Sequence, residues 1–362
     1  MNIDHKNLSK EERIIAVQRL TALWAFCESG LGGIMHALQM PFTGLVVGGL
    51  AVIIITFIAE ISAHHYQQIL KSLLIVLIIK AMVSPYTPPP AYIAVSFQAL
   101  TGFLLFSLLR INPLSILLLS IITLLESAIQ QLLILTLFFG QSIWKATDGF
   151  VALVTKQFGF SALHGSQWVI GIYLLVYLSC GIFIAWITWK TLTQFSVEIT
   201  AMDWRNDPTF NSELFIATTR NKKKSNKKLW VFASVLIVLS LVLFFIASDP
   251  KQGWIIVLKT VSRTLAVIMI WFMLITPLFT KFIKRALHKK ENHYSEEISR
   301  ALSFLPVLRQ LTTRAWQMSK QQKDGGRLQF FLATMILWSL TYNDQYNMSG
   351  GSAPENAFKK TA

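Results

Sequence analysis

The stretch PFTGLVVGGLAVIIITFIAEIS, residues 41–62, decides the class of this chain. An apolar run of about 18 or more residues crosses the roughly 30 Å hydrocarbon core of a bilayer as a helix, because lipid offers no partner to unpaired backbone polar groups. Comparable runs recur over residues 69–84, 93–109, 114–139, 168–189, 229–247 and 265–279. The chain therefore reads as an all-α, polytopic helical membrane protein. Of its 362 residues, 53% are hydrophobic and 14% charged, against about 25% charged in ordinary soluble chains. A soluble fold could not cover that much apolar surface.

The formal net charge of +15 would suit nucleic acid. Its basic residues, however, cluster between apolar runs instead of lining one groove, which excludes nucleic acid and leaves membrane lipid as the partner. The densest cluster, Arg205, Arg220, Lys222, Lys223, Lys224, Lys227 and Lys228, marks residues 190–228 as cytoplasmic. On that basis the N-terminus and the turns at 64–71 and 110–113 are cytoplasmic. Residues 84–90, which carry no basic side chain, and residues 141–167 are external, the latter with an amphipathic helix around 144–158. The expectation is a multi-pass protein of the cell inner (plasma) membrane with both termini in the cytoplasm.

A capping-box pattern at Ser9 and Glu12 starts the first helix, which runs on through residues 20–38. Its segment from Glu28 to Gly33 carries an acid and three glycines, a composition suited to close packing against other helices. About eight transmembrane helices result, a count set by spans of membrane length. They divide into a six-helix membrane unit at 1–190, a basic cytoplasmic linker at 191–228 and a two-helix membrane hairpin at 229–283. Cytoplasmic basic amphipathic helices follow at 284–342, then a disordered tail at 343–362. Within the hairpin, residues 253–263 read as interfacial and 264–279 as the membrane part, kinked or ended at Pro277. Residues 296–323 read as one or two basic amphipathic helices interrupted at Pro306. Ile298, Ala301, Leu302 and Leu305, then Leu308, Leu311 and Ala315, recur at helical spacing. Such a face lies on anionic lipid or fills a groove on a partner.

Ionisable residues inside spans are costly and so carry functional hypotheses. Glu60, beside the turn bearing His64 and His65, can reach water, and Lys80, one turn from the external end, is read as snorkelling outward. Glu28 and His36 either pair within the bundle or contact a ligand. Glu126, with Ser127, Gln130 and Gln131, places an acid and three hydrogen-bonding groups in the middle and outer half of one helix. Glu126 and Gln130 share a face at i, i+4, which meets either a substrate or another helix, never lipid. Gln98 and Thr101 are placed similarly on the preceding helix. Motifs for nucleotide hydrolysis, zinc proteolysis, nucleophilic-serine hydrolysis and dithiol redox chemistry do not occur, and Cys27 and Cys180 stand alone in apolar stretches. The chain therefore reads as non-enzymatic, with no catalytic residue, cofactor or metal.

The six-span unit resembles the substrate-capture component of energy-coupling-factor (ECF) micronutrient importers. The segments that carry the resemblance are PFTGLVVGG at 41–49, SPYTPPPAY at 84–92 and QALTG at 98–102, and it covers roughly residues 12–190. In that family the ligand sits near the external face, which implies Tyr86, Tyr92, Gln98, Glu126, Gln130 and Trp168 as solute contacts here. The family's coupling helices bear an Ala-Arg-Gly signature that docks on ATPases. Arg300-Ala301 and Arg314-Ala315 are similar to it without the glycine, which implies Arg300, Arg309 and Arg314 as partner-coupling residues. Its Ala-x-x-x-Ala pattern is absent from the first helix, where Gly30, Gly32 and Gly33 could allow equally close approach. The expected function is capture of a small, vitamin-like organic solute, with a partner ATPase module. The alternative is a non-catalytic scaffold or assembly subunit of a larger membrane complex.

Overall fold

A computed structural model of the chain describes residues 9–37, 42–84, 87–157, 165–194, 250–321 and 326–341. All regular secondary structure among them is helical. α1, Lys10–Phe26, opens with the expected box: the Glu12 N–H donates to Ser9 Oγ at 3.3 Å and the Ser9 N–H to Glu12 Oε2 at 2.8 Å. It passes through a π turn, Cys27–Leu31, into α2, Gly32–Ala37. α3 spans Thr43–Ile61 and α4 spans Gln67–Val83. α5, Pro89–Leu109, and α6, Pro113–Phe139, both begin on proline, whose missing N–H costs nothing in a first turn. Asn112 caps α6, its side-chain oxygen accepting the Ser115 N–H at 2.9 Å. α7 is Gln141–Gln157 and α8 is Gly165–Gln194.

α3 is the central helix. It packs on α1, α4, α5, α6 and α8, and Ala51, Val52, Ile55, Ile58 and Ala59 along it are fully buried. Small residues set the spacing. A Cβ added to Gly49 would lie 3.0 Å from Ile184 Cδ1 of α8, and one on Gly102 would lie 2.7 Å from Ile55 Cγ2. Among the described residues, five helices are long and apolar enough to cross a membrane: α3, α5, α6, α8 and the helix covering Val257–Leu287. Their outer faces carry exposed Leu108, Leu133, Ile172 and Phe282, which mark a membrane protein in contact with lipid. α4, with 17 residues, falls one short of that length, and the first expected span is divided by its π turn. The span at 229–247, nearly all of the 191–228 linker and the tail at 343–362 lie outside the described residues.

Three expectations about the C-terminal part differ from what is observed. α9, Pro250–Ile270, a π turn, Trp271–Ile275, and α10, Thr276–Glu291, follow one another without a break. Pro277, read as a kink or an end, does not end the helix. The Thr276 backbone N–H reaches back five residues to the Trp271 carbonyl, and its Oγ1 donates there at 3.0 Å, so the π turn absorbs the donor that Pro277 lacks. α11, Ser295–Gln321, likewise runs through Pro306, which lies on its exposed side, where water can serve the carbonyl left without a donor.

The third difference concerns the apolar face of α11. Ile298, Ala301, Phe304, Leu308, Leu311 and Ala315 are buried in the main core, where α11 packs on α1, α4 and α12, Arg327–Thr341. The face expected to meet lipid or a partner groove is occupied within the chain. Polar ties hold it there. Arg19 Nη1 donates to the Leu340 carbonyl at 2.5 Å, and Lys71 Nζ pairs with Glu297 at 3.0 Å while lying over the Tyr294 ring.

Candidate functional site

α3, α5 and α6 meet in a polar layer inside the bundle. A Cβ added to Gly48 of α3 would lie 3.5 Å from Gln98 Nε2 of α5 and 3.7 Å from Thr123 Cγ2 of α6, which sets Gly48, Gln98 and Thr123 at one depth. A turn further on, a Cβ on Gly44 would lie 3.1 Å from the Ser127 Cβ, and Gln130 Nε2 donates to the Pro90 carbonyl at 2.9 Å. Gly102 of α5 stands opposite Leu119 of α6. α5 and α6 are therefore antiparallel, and Glu126, one turn from Thr123, sits between the Gln98 level and the Pro90 end. Gln98 is 3% exposed, and Ser120 and Thr123 are fully buried.

What sets this layer apart is unmet hydrogen bonding. Gln98 Oε1, Ser120 Oγ, Thr123 Oγ1 and Glu126 Oε2 are enclosed and have no hydrogen-bond partner among the described residues. A buried polar group left unpaired costs about 1–3 kcal/mol. Four of them in adjoining turns of two helices form a place where a polar molecule could be held. Gly44 and Gly48 let α3 pack closely on this layer, a Cβ at either position lying 3.1 Å from Ser127 Cβ or 3.3 Å from Leu124 Cδ2.

A second polar cluster lies on the other side of α5. Lys80 Nζ of α4 donates to Glu28 Oε2 at 2.7 Å, with the two side chains 4% and 3% exposed, and it lies 6.0 Å from the Tyr92 ring centroid. The outward snorkelling expected of Lys80 is thus not observed, because Glu28, presented by the π turn, gives the ammonium a partner inside the bundle. Glu28 Oε1 remains without a partner among the described residues. Next to it, Thr87 Oγ1 donates to Ser84 Oγ at 2.9 Å.

The structure brings Gln98, Glu126 and Gln130 to one region, with Gln130 pinned by Pro90. Tyr92 is buried, but its ring faces Lys80 and not the Gln98 layer. Trp168, at the start of α8, is 68% exposed and is not drawn into the site. Tyr86 and the side chain of His36 lie outside the described residues. Arg300 and Arg309 are exposed on α11 and Arg314 is half-buried, with Arg300 paired to Glu296 one turn earlier. His64 Nδ1 meets the Tyr66 hydroxyl at 2.9 Å. Residues not anticipated as part of the layer are Ser120 and Thr123, together with Gly44 and Gly48. Their signal was present as a hydroxyl stripe at 120, 123 and 127 facing two glycines at i, i+4. Comparison with protein-family models, with curated proteins and with solved structures finds no match to this chain.

Proposed function

We propose that this helical membrane protein captures a small organic solute in the Gln98–Glu126 layer and hands it inward with the help of a partner ATPase module. The observation that carries the proposal is the group of four enclosed polar atoms without partners on α5 and α6. Interhelical glue would have closed these hydrogen bonds on each other, as Thr21 and Ser72 do at 2.7 Å between α1 and α4. Buried polar atoms left unpaired call for a ligand. The resemblance to the substrate-capture component of ECF importers supports the same reading, with the inner membrane as location. The protein is not itself an enzyme under this proposal. Its exposed basic residues, Arg300 and Arg309, face the cytoplasm and meet the ATPase.

The test is mass spectrometry of small molecules and proteins retained on gently solubilised, purified protein. A vitamin-like solute with nucleotide-binding subunits is the expected result. Another membrane subunit in fixed ratio, with neither solute nor ATPase, would replace this reading by that of a scaffold.

A further inference from the structure

We infer that the solute held in the Gln98–Glu126 layer is a small organic cation carrying N–H donors, an amine or a guanidinium compound. The inference rests on the capture reading and gives it a substrate class. Of the four polar atoms without partners, Gln98 Oε1 and Glu126 Oε2 are pure acceptors, while the hydroxyls of Ser120 and Thr123 can accept as readily as donate. The layer can therefore accept a donated hydrogen bond at each of four atoms.

Charge points the same way. Near this depth the described charged side chains are Glu28, Lys80 and Glu126. Lys80 is committed to Glu28 at 2.7 Å, so the cation is already neutralised and turned toward α1. Glu126 has no cationic partner among the described residues. An anionic solute would meet its carboxylate in a low-dielectric interior with no positive group to offset it, and a neutral one would leave the acid unpaired. A compact cation with several N–H groups satisfies the acid, the amide oxygen and the hydroxyls together.

The test uses the full-length protein in phosphatidylethanolamine/phosphatidylglycerol nanodiscs. Metabolites retained from cells are identified by mass and charge. Binding is then measured for three probes of equal length: 1,5-diaminopentane, pentane-1,5-diol and glutarate. The expected result is a retained amine or guanidinium compound and at least tenfold tighter binding of the diamine than of the other two. Glu126→Gln should reduce that preference at least tenfold with unchanged monodispersity and melting temperature, and Glu126→Asp should restore most of it. A retained anion or neutral compound, or binding of glutarate or the diol in preference to the diamine, would overturn the cation assignment and leave the capture reading standing. A cation preference untouched by Glu126→Gln would overturn the assignment to this layer. Nothing retained, and none of the three probes bound, would overturn the capture reading and the cation assignment with it.

Discussion

Lys80 and Glu28 show what a single residue can decide in this fold. Both are almost wholly buried and joined at 2.7 Å, and removing one partner of such a pair leaves a charge with nothing to meet it. Lys80→Met should therefore cost about 3–5 kcal/mol, read as a large drop in melting temperature in detergent. The double substitution Glu28→Leu with Lys80→Met should recover most of that loss. A double variant as unstable as the single one would mean that the pair is not the reason. Gly102 is the second such position. Ala at 102 would bring its Cβ to 2.7 Å from Ile55 Cγ2, a branched atom with little freedom in a helix. The expected cost is about 1–3 kcal/mol, and combining it with Ile55→Ala, which clears that atom, should cost less than the sum of the two single substitutions.

At the scale of elements, α4 and α11 are clamped by Lys71 and Glu297. Burial pushes the Glu297 carboxyl up, but the hydrogen bond from Lys71, its own backbone N–H and the charges of Lys71 and His293 outweigh that and hold it below the ordinary carboxylate value. A carboxyl lowered in the folded state adds stability above its unfolded value and loses it as pH falls through the lowered native one. The clamp should be intact at neutral pH and released on acidification. Because both side chains are partly exposed, a double-mutant cycle with Lys71→Met and Glu297→Gln should give a coupling below about 1 kcal/mol at neutral pH, vanishing at acid pH. A coupling that grew on acidification would contradict the assignment. The joins between elements obey the same local chemistry. Ser9 caps its helix as its sequence pattern indicates and Asn112 caps α6, whereas Pro277, read as a kink or an end, and Pro306, read as an interruption, are carried by a π turn and by an exposed helix face.

Across the whole molecule, α11 and α12 share one core with α1, α3 and α4. The basic C-terminal region is part of the bundle's own core. Leu308, 1% exposed in that core, tests this. Leu308→Ala should cost about 2–5 kcal/mol and lower a single melting transition in which α3 and α11 lose protection from hydrogen exchange together. Separate transitions, with only α11 and α12 shifted, would show two units instead of one.

Apolar length, glycine placement and loop charge made the helical membrane class legible from the residues alone, because the bilayer demands long apolar helices whatever their neighbours. Gln98, Glu126 and Gln130 could be picked out for the same reason: a polar group inside a span is conspicuous by type. Which of them meet, and which polar atoms stay unpaired, depends on how α3, α5 and α6 are rotated and set in depth against each other. That depends on contacts such as Gly48 against Gln98 and Gly102 against Ile55, which join positions about 50 residues apart and have no local signature. The turn of Lys80 inward to Glu28, and of the apolar face of α11 onto α1, were hidden likewise. An amphipathic face or a buried charge declares that it needs a partner, and only packing selects the partner it gets.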